Sequence, residues 1–196
     1  MITTLKTAPV LKPLTVEELK WHLYIVGDTT WDSHLETLID AATAWVEQYM
    51  CRKLITQTWY AYYDSFPNGD MYIPFGNLSS VTAIKYTDID DAELTLSSAN
   101  YYVDTKSVPG RIVLKDGEVW PTTTLRPYNP VEVEFITGYG ATYASVPADI
   151  KHAMKLLIGH WHENRESVIV SSMTVQNVEN TVNSLLYRHR VWRWAI

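Results

Sequence analysis

The chain has a single cysteine, Cys51, so it can form neither an intramolecular disulfide nor a multi-cysteine zinc site. Cys51 closes a helical pattern and reads as a half-buried structural residue. Synthesis in a reducing cytosol fits this composition. No apolar run reaches the roughly 18 residues that a membrane span needs. The opening MITTLKTAPVLKPL lacks both the continuous apolar stretch and the small-residue cleavage site of a signal peptide, so none is expected. Positive charge is also short. Sixteen Lys and Arg stand against 22 Asp and Glu, a net charge of −6, which argues against a general nucleic-acid binder.

Catalytic signatures are missing as well. There is no GxxxxGK phosphate loop and no GxSxG elbow. Gly138-x-Gly140 follows a strand-like stretch but lacks the third glycine of a dinucleotide fingerprint. His160 and His162 are two residues apart, so on a helix they point to nearly opposite sides and cannot share a metal. His152 is on the face of His160 but about 12 Å away along the helix axis. The acidic run Asp88-Ile89-Asp90-Asp91-Ala92-Glu93 puts Glu93 where an EF-hand loop requires glycine, and Ala99 where it requires glutamate. It reads as a hairpin turn with solvated acids. No metal, no cofactor and no enzymatic activity are expected.

What is present is a strong alternation of patterns. Thr15 and Glu18 form a capping box that starts a short helix to about Ile25, stopped by Gly27 and Asp28. A second helix is predicted from about Asp32 to Met50. Its apolar face comprises Leu35, Leu38, Ile39, Ala42, Trp45, Val46 and Tyr49. It turns directly into a strand without a linker. From residue 54 onward the pattern is short runs of Val, Ile, Tyr and Thr at 55–63, 71–73, 81–87, 94–96, 101–103, 111–114 and 131–136. Turn signals separate them, among them Pro67-Asn68-Gly69-Asp70 and Asp116-Gly117. Helix returns at 149–165, opened by Pro147, and again in a short element carrying Val178, Val182, Leu185 and Leu186. Pro9 and Pro13 make residues 1–14 an extended arm.

The fold class is therefore α+β: a helical core of about four helices with an inserted small antiparallel sandwich or barrel. The division expected is 1–53 for the arm and first helices, 54–140 for the β insertion, 141–187 for the last helices and 188–196 for a C-terminal tail. Such an arrangement favours a building block over an enzyme. Eight Trp and 13 Tyr point to interfaces, which are enriched in them.

The C-terminal run Arg188-His189-Arg190-Val191-Trp192-Arg193-Trp194-Ala195-Ile196 is the strongest functional signal, because basic and aromatic anchors follow one another at a chain end. It reads as a tail inserting into a partner. Packing back onto its own core and stacking on nucleic acid remain as alternatives. Extended, it reaches roughly 30 Å.

Five stretches in order give the chain a family resemblance. They are Leu14-Thr15-x-Glu17-Glu18-x-Lys20; Leu38-Ile39-x-Ala41-Ala42-x-x-Trp45-Val46-Glu47; Arg52-x-Leu54-Ile55-x-Gln57-Thr58-Trp59; Phe135-x-x-Gly138-Tyr139-Gly140; and Val146-Pro147-x-x-Ile150-x-x-Ala153 running on to His160-Trp161-x-Glu163-Asn164-Arg165-Glu166. Together the chain resembles the head–tail connector, or adaptor, proteins of tailed bacteriophages and gene-transfer agents. The resemblance implies a virion structural protein in the neck, made in the host cytoplasm, with no membrane association. It implies a homo-oligomeric ring, commonly of twelve copies, beneath the portal protein, with a tail-side stopper or tail-completion protein on the opposite face. DNA would pass through the channel without sequence-specific binding. Tyr187, Arg188, Arg190, Trp192, Arg193, Trp194 and Ile196 would dock into the portal, although this C-terminus is richer in Trp and Arg than the family pattern. Asp88, Asp90, Asp91 and Glu93 would face the channel. Two other classes are carried beside this one. One is a β-sandwich module binding a host-surface glycan or receptor through Trp59, Tyr60, Tyr62 and Tyr63. The other is a hydrolase whose site assembles only in space.

Overall fold

The computed structural model describes residues 1–164 and 175–192. They form two compact units, one built from 10–55 and 140–190, the other from 1–9, 56–139 and the residues from Val191 on. Four α-helices and two antiparallel sheets make the fold α+β, as expected.

In the helical unit, α1 (Val16–Leu23) starts at Thr15, whose Oγ1 accepts from the Glu18 amide at 3.1 Å. The helix stops earlier than the glycine signal suggests. Tyr24 takes a left-handed conformation with φ 58° and returns its amide to the Lys20 carbonyl, so the cap forms before Gly27 is reached. The second helix, α2 (Asp32–Met50), has the expected limits. Leu35, Ile39, Ala42, Val46 and Met50 are buried on one face, while Trp45 and Tyr49 stack on each other at its border, 5.3 Å between ring centroids. Each fully buried Leu or Ile contributes about 1.5–3 kcal/mol. The third helix, α3 (Ala148–Glu163), buries Ile150, Ala153, Met154, Leu157 and Ile158 and touches α1, α2 and the last helix, α4 (Val175–Tyr187).

One expectation is corrected. The helix α2 does not run directly into a strand: Cys51–Thr56 separates it from β2 (Gln57–Tyr63). Cys51 is half-buried and forms the left-handed cap, φ 53°. Glu47 fixes the path that follows. Its carbonyl accepts the amides of Cys51 and Arg52, and its carboxylate accepts the Leu54 amide at 2.8 Å and pairs with Lys53 at 2.9 Å. A tight turn held by one side chain has no glycine or proline in it and left no turn signal.

The other unit is a sandwich. Its larger sheet has the order β1-β2-β8-β4-β5, with β1 Ile2–Thr7, β4 Leu78–Thr87, β5 Glu93–Thr95 and β8 Val131–Thr137. The smaller has the order β3-β7-β6, with β3 Met71–Tyr72, β6 Tyr101–Asp104 and β7 Arg111–Leu114. The N-terminal extended stretch is thus strand β1, antiparallel to β2, and groups with the sheets. Central strand β8 alternates strictly. Val131, Val133, Phe135 and Thr137 are buried, while Glu132 and Glu134 lie on the other face. Buried residues from both sheets, including Phe135, Ile84, Met71, Tyr101 and Ile112, form one core. Gly110 is required where the sheets meet, because a Cβ there would stand 2.6 Å from Leu78.

Replacing Glu47 by alanine takes the acceptor from the Leu54 amide and the partner from Lys53, whose side chain is only 15% exposed. A loss of about 2–3 kcal/mol is expected in denaturant unfolding. A change under 0.5 kcal/mol would show that the turn holds itself.

Candidate functional site

The C-terminal segment leaves α4 through a turn. The His189 amide donates to the Leu186 carbonyl at 2.9 Å and the Arg190 amide to the Tyr187 carbonyl at 3.2 Å. Its side chains then fold back onto the helical unit at three points. His189 Nε2 lies 2.7 Å from Asp149 Oδ2, and Arg188 Nη2 lies 2.6 Å from the same oxygen. Arg52 Nε donates to the His189 carbonyl at 2.6 Å. The Arg190 guanidinium lies over the Tyr49 ring, 5.1 Å from its centroid. The ends of α2, the first turn of α3 and the turn after α4 are thereby tied together.

Asp149 is the centre of this clamp. Its Oδ1 accepts the Ile150 amide at 3.0 Å, leaving Oδ2 for His189 and Arg188. Burial is the largest single influence and pushes the carboxyl pKa up. The His189 hydrogen bond and charge, the Ile150 amide and the Arg188 charge together outweigh it and hold the pKa below the ordinary carboxylate value. Because His189 Nε2 faces a carboxylate, it carries the proton and donates. It then has no lone pair for Arg188 Nε, 3.2 Å away, and the guanidinium is held through Asp149.

Of the C-terminal residues singled out from the sequence, Tyr187 is 57% exposed and the Arg188 side chain 72%. Arg190 is exposed yet sits on Tyr49. Trp192 is 46% exposed. Arg193, Trp194 and Ile196 lie outside the described residues. Asp149 was not found by sequence reasoning, and His189, Arg52 and Tyr49, though each part of a pattern read there, were not linked to one another. They lie as far apart in the chain as Tyr49 and His189. The one available signal is an acid in the first turn of α3.

Asp88, Asp90 and Asp91 lie in the β4–β5 turn, and Glu93 opens β5. Asp88 Oδ1 accepts the amides of Asp90 and Ala92, each at 2.9 Å, and Asp91 takes φ 61°. Glu93 pairs with Lys85 at 2.7 Å, and Asp90 and Asp91 are exposed. The aromatic run on β2 divides by alternation. Trp59 and Tyr63 pack on the sandwich core, and burial pushes the Tyr63 hydroxyl pKa up. Tyr60 and Tyr62 stand opposite Glu134 and Glu132 on the other face. No continuous stacking platform results.

The histidines of α3 go to different neighbours. His152 meets His22 of α1, 6.4 Å between centroids, and His162 meets His34 and Trp31 at 5.8 and 5.6 Å. No group of three or more His, Cys, Asp or Glu that could hold a metal occurs among the described residues, and no described helix is long and apolar enough to cross a membrane. A groove of about 550 Å³ in the sandwich runs beside Phe66, Trp120 and Pro121. Trp120 stacks on Phe66 and donates to the Gly69 carbonyl, and Asp70 is bonded to Arg111. The groove's carboxylates face no histidine or cysteine among the residues lining it.

Comparison with known proteins gives a consistent answer. No curated protein matches. A chain in the neck of an empty gene transfer agent (GTA) particle, computed with C6 symmetry, is 25% identical with a TM-score of 0.82, over 100% of this chain and 98% of that one. A chain in the neck of a native GTA particle, computed with C12 symmetry, is 24% identical with a TM-score of 0.79 over the same shares. A chain from the virion of a native GTA particle is 22% identical, with a TM-score of 0.78 and again 100% and 98% coverage. The family model described as head completion protein matches residues 13–191, and the chain belongs to that family.

Proposed function

We propose that this chain is a structural component of the virion neck, a head–tail connector that forms a ring beneath the portal and extends the DNA channel. The family match over residues 13–191 carries the reading. Similarity to neck chains in particles with sixfold and twelvefold symmetry supports a homo-oligomeric ring, for which twelve copies is the natural number. The role is mechanical: docking, ring closure and passage of DNA.

The clamp gives the docking step a physical form. Arg188, His189 and Arg190 fix where the segment leaves the helical unit, because their side chains are engaged with Asp149 and Tyr49. The portal contact then falls to Trp192, half exposed, and to Arg193, Trp194 and Ile196 beyond it, with Tyr187 at the base. Aromatic and arginine side chains are the residues that most often dominate binding energy. On the opposite face the ring would receive a tail-side stopper or tail-completion protein.

The charge distribution suits a channel. Of the 14 described Lys and Arg, all but Lys106 and Lys155 are engaged inside the chain. Lys6, Lys12, Lys20, Lys53, Lys85 and Lys151 pair with carboxylates, as do Arg111 and Arg188. Arg52, Lys115 and Arg126 donate to backbone carbonyls, and Arg190 sits on Tyr49. At most of these cations phosphate would therefore have to break an existing contact to gain one. Exposed Asp90 and Asp91 add repulsion if their turn lines the channel.

Four outcomes are expected. Replacing Trp192 and Trp194 by alanine abolishes co-purification with the portal protein of the same genome while leaving the circular dichroism spectrum unchanged. Undiminished attachment would remove the docking assignment. Asp149→Asn weakens the clamp and lowers portal affinity about tenfold, a loss of roughly 1.4 kcal/mol. Acid does the same. The Asp149 pKa is depressed in the folded protein, so its contribution is complete above the ordinary carboxylate pKa and is lost as pH falls through the depressed value. Hydrogen exchange at 186–190 should rise in that window in the native chain and show no such rise in the Asn variant. Finally, the full chain should not retain duplex DNA even at about 50 mM salt, where phosphate contacts are strong. Tight, steeply salt-dependent retention would contradict a passive channel.

A further inference from the structure

The larger sheet of the sandwich is open at both ends. Its order β1-β2-β8-β4-β5 leaves β1 and β5 each with one neighbour among the described residues. Exposed edges of this kind invite pairing with another chain unless they are guarded. The guards here are partial: β5 is short and begins with Glu93, and β1 carries a register shift. The side chain of Lys6 is turned across the sheet face, 2.7 Å from Glu134 and over the Tyr60 ring, and does not shield the edge. A register shift between Leu5 and Thr7 limits the regular part of β1 to Ile2–Leu5. That is one residue more than β5, which has three residues.

Both edges are also unfinished on the same face. Leu5 stands opposite Trp59, and Leu94 stands opposite Tyr86; Trp59 and Tyr86 both pack on the sandwich core. Leu5 and Leu94 therefore point to the core side of the sheet, yet they are 46% and 39% exposed. Each is a core-side position that the described residues leave only partly covered.

Direction supplies the last element. Every neighbouring pair in the sheet is antiparallel, so across four steps β1 and β5 run the same way. Copies related by rotation about a ring axis meet through two different surfaces, not through one self-complementary patch. Rotation about such an axis can present β5 of one copy beside β1 of the next, in the same sense.

We propose that neighbouring copies of this chain join edge to edge, β5 of one against β1 of the next, as a parallel pair that continues the larger sheet and brings Leu94 and Leu5 together across the seam. This rests on the ring reading above. A second copy fits better than a foreign strand because the two edges are both short, run in the same sense and leave the same face uncovered.

The test uses the full chain assembled on its portal, in a Cys51→Ser background. Leu5→Cys with Leu94→Cys should give, on oxidation, a ladder of covalent oligomers extending to the complete ring. Each single variant should give no ladder. Leu5→Glu should lower the fraction of complete rings seen by native mass spectrometry about tenfold, with the monomer still folded by circular dichroism. Complete rings that give no ladder and tolerate Leu5→Glu would overturn the edge pairing and leave the connector reading intact. Loss of a tail-side partner from Leu5→Glu rings that remain complete would also overturn it, because the edge would then serve that partner. Single copies bound to the portal without any ring would overturn both readings.

Discussion

The pairing of β2 with β8 is the contact on which the rest of this chain depends. It sets Gln57 opposite Thr137, the first residue of one strand against the last of the other, so the chain enters and leaves the sandwich at adjacent points. Held open, a loop of that length would cost the helical unit about 4 kcal/mol in closure entropy. With its ends paired, the insertion behaves as a short connection. Helices α1 and α2 can then pack with α3 and α4 although nearly a hundred residues separate them in sequence. Buried Thr137 closes the pair: its hydroxyl reaches the backbone and side-chain oxygens of Asn77, both at 3.1 Å.

Long-range closure also explains what could be read from the sequence and what could not. Helix α2 and strand β8 were legible because their signals are local. One has an apolar residue every third or fourth position, and the other alternates without a break. Strand β1 was read only as extended, because Ile2–Thr7 lies at the edge and its burial shows no alternation. Helix α1 ended at Tyr24 because the helix found a backbone acceptor at Lys20, a choice that composition does not record. The candidate site divides in the same way. Its aromatic and basic content was visible in the last nine residues. The clamp was not, because Asp149, Arg52 and Tyr49 become neighbours of His189 and Arg190 only after the helices pack.

The acidic balance of the chain has a similar two-level meaning. A net charge of −6 states only that a general DNA binder is a poor description. Pairing states more, because it shows that most cations among the described residues are already engaged. Exposed pairs such as Lys85 with Glu93 add little to stability. Their consequence is to leave a passing polyanion few unengaged lysines or arginines to hold, a property that suits a conduit.

Docking by such a chain must reconcile a firm grip with a modest contact per copy. A clamp centred on one partly exposed carboxylate positions a short segment but cannot by itself supply a tight complex. Repetition changes this. Once one segment of a ring is bound, its neighbours are held close to their own pockets, and effective concentration replaces individual affinity. The same reasoning bears on closure of the ring. On the proposed arrangement, a parallel join of three or four residues, with one leucine from each side, would be weak between two free copies and would become sufficient once the portal held both in register. Weak edges that pair only on a template would also keep unassembled copies from pairing indiscriminately, which an open, apolar-flanked sheet otherwise risks. If both proposals hold, assembly order follows from magnitudes: segment first, edges second.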